Sequence, residues 1–133
     1  MKYSVFSVMA HDQSPEALLP MMKEAGYQAV EWRFKEISDS LKQEQTSFWR
    51  NNKCTIDPEA TDDQLERLKQ LTAQYGIETL SVTPYLTDNL EETEQVLQVA
   101  NKLGASFIRL GVPKYHRDGN FQELFENARQ YMK

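Results

Sequence analysis

The sequence has one cysteine, Cys54, two histidines, His11 and His116, five glycines and five prolines in 133 residues. One thiol cannot form an internal disulfide, which excludes a cystine-stapled scaffold and fits a reducing compartment; we expect the cytoplasm. With no Lys/His cluster beside it, Cys54 reads as an inert thiol. No apolar run is long enough to span a bilayer, and residues 3–10 are too short and too polar for a signal peptide. Lys and Arg number 15 against 20 Asp and Glu, for a net charge of -5, and no basic block interrupts them. Neither nucleic acid nor a membrane is therefore an expected partner. The two histidines lie far apart and outside any ligand-spaced motif, so they read as ordinary loop residues, with His116 and Asp118 placed to face a site from the loop after the fourth strand.

What is present is a recurring grammar of strand, helix, glycine and next strand, typical of parallel α/β proteins. Ser14, Pro15 and Glu16 open a first helix that Gly26 follows. Pro20, past its first turn, is expected either to kink that helix or to delay its regular start. Thr61 and Gln64 stand in capping-box spacing before a helix over Asp62–Tyr75, with Leu65, Leu68, Leu71 and Tyr75 on one stripe and Gly76 after it. A third helix over Leu90–Leu103 precedes Gly104. A fourth, over residues 121–132, puts Phe121, Leu124, Phe125, Ala128 and Tyr131 on one face, and the sequence stops at Lys133 as though cut. We expect one partial domain over residues 1–133, about four of the eight β/α units of a TIM barrel, since a complete barrel takes about 250 residues. A flavodoxin-like sheet ranks below it, because no glycine-rich phosphate loop follows the first strand.

Gly26 and Gly76 are 50 residues apart, whereas Gly76 and Gly104 are 28 apart. The excess falls in an inserted loop over about residues 39–60, at the end of the barrel where sites are built. It contains Phe48 and Trp49, either as buried anchors of the loop or as a lid or substrate wall.

Buried parallel strands are apolar on both faces, so polar residues at alternate positions need a reason. In the second strand Val30, Trp32 and Phe34 oppose Ala29, Glu31 and Arg33. In the third, Leu80 and Val82 oppose Ser81 and Thr83, and in the fourth Ile108, Leu110 and Val112 oppose Phe107, Arg109 and Gly111. The apolar faces would meet the helices and the others would line the barrel. Glu31, Arg33 and Arg109 then sit late in their strands, where TIM-barrel sites lie. Either Glu31 pairs with Arg33 or Arg109 in a structural network, or the arginines present their donor forks to an anionic or hydroxyl-rich ligand; both can hold together. Tyr85, after Thr83 and Pro84, either packs or faces the same opening.

Several stretches resemble the N-terminal half of the sugar phosphate isomerase/epimerase family, whose barrel is xylose isomerase-like. They are a short first strand ending in Met9-Ala10-His11, then Ser14-Pro15-Glu16-Ala17-Leu18-Leu19 and Ala25-Gly26-Tyr27-Gln28-Ala29-Val30-Glu31-Trp32-Arg33. Phe48-Trp49-Arg50-Asn51-Asn52-Lys53-Cys54-Thr55-Ile56-Asp57 and Leu103-Gly104-Ala105-Ser106-Phe107-Ile108-Arg109-Leu110-Gly111 complete the set. The resemblance implies a divalent metal, manganese or magnesium, acting as a Lewis acid on a sugar or polyol while carboxylates move a proton between adjacent carbons. The family's metal ligands come from strands five to eight, past Lys133, so this chain alone is expected to bind no metal. The substrate-facing positions that carry over are His11, Glu31, Arg33, Tyr85 and Arg109. The endonuclease branch is disfavoured, because Thr83-Pro84 and Arg109-Leu110-Gly111 stand where it uses histidines. Two functions follow: an isomerase or epimerase whose catalytic half lies elsewhere, or a non-catalytic half-barrel that binds a ligand or self-assembles. The open edges of the first and fourth strands favour a homo-oligomer.

Overall fold

A computed structural model of the chain describes all residues except 86–88, 112–113 and 118. Three helices take their ends from the local chemistry legible in the sequence. Ser14 Oγ accepts from the Ala17 N–H at the start of α1 (Pro15–Glu24), and a capping box joins Thr61 and Gln64 at the start of α3 (Asp62–Tyr75). Gly76 and Gly104 close α3 and α4 (Leu90–Leu103) in the left-handed region, at φ 66° and 69°, where a side chain would be strained. Helix α1 runs through Pro20 and begins regularly at Pro15. The bond that Pro20 cannot donate lies on an exposed face of the helix, where solvent reaches the freed Glu16 carbonyl.

The strands β1 (Ser4–Phe6), β2 (Ala29–Phe34), β4 (Glu78–Pro84) and β5 (Phe107–Ile108) lie side by side in that order, all parallel. A two-residue strand, β3 (Thr55–Ile56), pairs with Arg33 and Phe34 of β2. It lies inside the expected loop at 39–60, which also contains a short helix, α2 (Asp39–Lys42), and so has structure of its own. Strand, helix and strand alternate as parallel β/α units of half a TIM barrel.

The core fills the space between the sheet and α1, α3 and α4. Leu18, Leu19 and Met22 of α1, Leu65 and Leu68 of α3, and Val96, Val99 and Leu103 of α4 pack with Val30, Trp32, Phe34 and Val82 of the sheet. Trp32 is fully buried, and its indole N–H reaches the Thr79 hydroxyl at 3.4 Å. That contact exposes an error in strict alternation along β4. Val30 pairs with Thr79 and Glu31 with Ser81, so Leu80 is an extra residue in a bulge. Thr79 and Val82, not Leu80 and Val82, therefore occupy the buried positions beside Val30 and Trp32.

Two further expectations change. Strand β1 ends at Phe6, and the chain enters a 3-10 turn over Ser7–Ala10 before His11, so Met9 and His11 are outside the strand. The fourth strand of the sequence reading shrinks to Phe107 and Ile108; Arg109 follows it, and Val112 lies outside the described residues. Helix α5 (Phe121–Tyr131) buries none of its residues: Phe121 and Phe125 are exposed, while Leu124, Ala128 and Tyr131 are half-buried.

Candidate functional site

Because parallel strands carry their side chains to one shared end, the last residues of β2 and β4 converge with the residue after β5. They meet in a cleft of about 370 Å³ lined by Phe6, Arg33, Thr83, Tyr85, Arg109 and Lys114, with Trp49 on its rim from the inserted segment. The carboxyl end of the strands is where the sequence placed the site.

Arg33 is the fixed centre of this cleft. Its residue is only 3% exposed. One guanidinium nitrogen donates to Thr55 Oγ1 at 2.6 Å and another to the Trp49 carbonyl at 3.1 Å, so the side chain fastens the inserted segment to β2. Its backbone N–H donates to Ser7 Oγ at 2.9 Å, and that hydroxyl donates to the Cys54 carbonyl at 2.9 Å. Ser7 thus occupies the seam where β1 leaves β2 and β3 takes over.

Glu31 does not join either arginine. Its carboxylate accepts from Thr83 Oγ1 at 2.6 Å, across the β2–β4 pair, and no ion pair among the described residues includes it. Of the two readings of Glu31, the pairing with Arg33 or Arg109 is not formed among the described residues; Thr83 takes the carboxylate instead. Arg109 lines the cleft and is exposed. Tyr85 is 53% exposed and faces the opening, with Lys35 Nζ 4.1 Å from its ring centroid. Burial pushes the Tyr85 hydroxyl pKa up, but hydrogen bonding and charge from Lys35 and Arg33 outweigh it and hold the group below the ordinary tyrosine range.

His11 stays outside the cleft lining. It meets Phe48 edge-to-face at 4.6 Å, its carbonyl accepts from the Lys53 N–H, and its buried Nδ1 has no hydrogen-bond partner among the described residues. His116 is exposed and lies beside a separate shallow hollow with Glu123 and Asn127; Asp118 lies outside the described residues.

The inserted segment is not anchored by its aromatic residues: Phe48 is 41% and Trp49 63% exposed. Asparagines hold it instead. Asn52, fully buried, donates to the Val8 and Phe48 carbonyls at 2.9 and 3.0 Å and accepts from the Cys54 N–H at 2.9 Å, while Asn51 donates to the Glu44 carbonyl at 2.6 Å. Ser7, Asn52 and Lys114 escaped the sequence reading, whereas Thr83 stood on the face expected to line the barrel. The one signal for Asn52 was a pair of asparagines in an otherwise aromatic segment. Cys54 is buried, and burial, assisted by the nearby Glu16 charge, pushes its thiol up to about 12.

Among the described residues no three of His, Cys, Asp and Glu come together. The cleft is lined by arginine and lysine, and Glu31 already accepts from Thr83. These residues do not fit a divalent cation.

A parallel β/α half-barrel with a cleft at the carboxyl ends of its strands defines the class. Its fold is that of the xylose isomerase-like barrels. The chain is similar to a xylose isomerase domain-containing protein from Salmonella typhimurium LT2, with a TM-score of 0.56 and 18% identity over 98% of this chain and 46% of that one. It is also similar to an uncharacterized protein from Parabacteroides distasonis ATCC 8503, with a TM-score of 0.59 and 18% identity over 98% of this chain and 50% of that one. The chain thus spans about half the length of either structure. No protein-family model matches the sequence, and comparison with curated proteins likewise gives no match. No helix among the described residues is long and apolar enough to cross a membrane.

Proposed function

We propose that this chain is the substrate-holding half of a sugar or polyol isomerase/epimerase-type barrel. The observation that carries the reading is the cleft at the strand ends, lined by the fixed donors of Arg33, by the exposed Arg109 and by the exposed rings of Trp49 and Tyr85. Aromatic faces suit the C–H side of a polyhydroxylated ligand, and guanidinium donors suit its oxygens. Likeness to a xylose isomerase domain-containing protein supports the same ligand class. Proton transfer between adjacent carbons, with a manganese or magnesium ion as Lewis acid, belongs on this reading to donors other than those described here, so the chain by itself binds its ligand without turning it over. A cytoplasmic setting accords with its single buried thiol.

The open edges of β1 and β5 favour a second reading, a non-catalytic module that self-assembles. One series separates them. Titration with ribitol, xylose and ribose 5-phosphate, followed by the fluorescence of exposed Trp49 against buried Trp32, should give a saturable change that Trp49→Phe removes. Sedimentation run alongside reports assembly; self-association with no response to any of the three ligands would favour the module.

A further inference from the structure

Arg33 is a buried charge without a carboxylate. Its residue is 3% exposed, and no ion pair among the described residues includes it. Two of its hydrogen bonds go to neutral oxygens, the Thr55 hydroxyl and the Trp49 carbonyl, and a further one goes to the Tyr85 hydroxyl. A charge withdrawn from water is costly unless an opposite charge stands near it. Glu31, two residues back on β2, is engaged by Thr83, and no carboxylate lines the cleft among the described residues. Of the three groups that Arg33 touches, Tyr85 is the one that can itself become negative. A second cation meets it, since Lys35 Nζ stands 4.1 Å from its ring centroid, and Arg109 and Lys114 line the same cleft. Burial opposes ionisation of the Tyr85 hydroxyl, and hydrogen bonding and charge from Lys35 and Arg33 outweigh it.

We infer that Tyr85 is the counter-ion of Arg33, and that its phenolate form both balances the buried guanidinium and accepts a hydrogen bond from a ligand hydroxyl at the mouth of the cleft. A hydroxyl-bearing ligand donates as well as accepts, whereas Arg33, Arg109 and Lys114 offer donors alone. Of the two lining hydroxyls, Thr83 is 4% exposed and gives its proton to Glu31, while Tyr85 is 53% exposed. Tyr85 is therefore the side-chain acceptor that an entering ligand can reach. A phenolate accepts about twice as strongly as a neutral hydroxyl, because the bond is charge-assisted. The group selects a ligand with a free hydroxyl at this place over its deoxy or methyl-ether analogue, either of which would leave the phenolate unpaired. The hydroxyl contact rests on the cleft being the ligand site; the Tyr85–Arg33 pair stands without any ligand.

The test is a spectrophotometric titration of the 133-residue chain from neutral to alkaline pH, following phenolate absorbance. The chain is used unaltered and as Tyr85→Phe, Lys35→Met and the remote control Tyr27→Phe. Of its six tyrosines, one should ionise ahead of the others, below the ordinary value of about 10. Tyr85→Phe should remove that early step, Lys35→Met should move it upward in pH, and Tyr27→Phe should leave it intact. Circular dichroism at each pH reports folding; where Tyr85→Phe unfolds, the shift in Lys35→Met decides. Ribitol affinity, measured by calorimetry on either side of the early step, should rise about tenfold as the phenolate forms and stay flat in Tyr85→Phe. No early step in the unaltered chain, or an early step retained in Tyr85→Phe, overturns the inference. Ribitol binding that ignores the step overturns it as well. An early step lost in Tyr85→Phe, with ribitol bound at no pH, upholds the ion pair and counts against the polyol reading of the cleft.

Discussion

The Ser7 hydroxyl accepts the Arg33 backbone N–H at 2.9 Å and returns a hydrogen bond of the same length to the Cys54 carbonyl, so one buried side chain joins three segments. Strand β1 pairs with the first half of β2 and β3 with the second half, and Ser7 spans the change. Replacing Ser7 with Ala would leave a buried donor and a buried acceptor without partners. The expected loss is about 1–3 kcal/mol, read as a lower urea midpoint with an unchanged slope.

Asn52 performs the corresponding task for the inserted segment, its fully buried amide donating to the Val8 and Phe48 carbonyls and accepting from the Cys54 N–H and, more weakly, the Thr55 hydroxyl. Asn52→Ala should cost roughly 2–4 kcal/mol, and Asn52→Asp should not rescue it, since a carboxylate cannot donate to the Val8 and Phe48 carbonyls. Limited proteolysis should show cleavage near residues 47–53 at protease levels that spare the unaltered chain. Equal resistance would mean that the segment is held by other contacts.

Cys54 provides a pH signature. Its thiol is pushed up to about 12 in the folded chain, whereas a free cysteine titrates near 8.5. The unfolded state therefore releases this proton first as pH rises. Stability from this group is intact below about pH 8.5 and falls between there and pH 12, by at most about 1.4 kcal/mol per pH unit. Urea unfolding at a series of pH values should show a decline in that window that is shallower in Cys54→Ala. Thiol reagents at pH 8 should label Cys54 only on unfolding.

Helix ends test the local layer of the account. Thr61→Ala removes one half of the capping box and should cost about 1 kcal/mol. Gly76→Ala meets only the end of the Lys23 side chain at 3.7 Å, so its expected cost of about 1–2 kcal/mol comes from the left-handed backbone alone.

Those helix ends were legible in the sequence because caps and terminal glycines act through neighbours three or four residues away. The position of Arg33 was legible too, since the two-residue period of β2 needs no knowledge of its partners. Leu80 was misread for the opposite reason: a bulge is a property of the pair, and it depends on how Trp32 and Thr79 meet across 47 residues. Ser7 binds groups 26 and 47 residues away, and a serine after a short strand carries no mark of that. The inserted segment misled by composition, because Phe48 and Trp49 invite burial while Asn51 and Asn52 perform it. Glu31 and the arginines were brought to one end of the sheet as expected, yet which groups paired was settled by a threonine on the next strand.

The most direct test of the central claim, that the ligand site lies at the carboxyl ends of β2, β4 and β5, is a backbone amide NMR map of the chain titrated with ribose 5-phosphate. The account predicts saturable shifts concentrated at Arg33, Trp49, Thr83 and Arg109, with little change along α1 and α3. Saturable shifts confined to other parts of the molecule, or none at all from a folded chain, would contradict it.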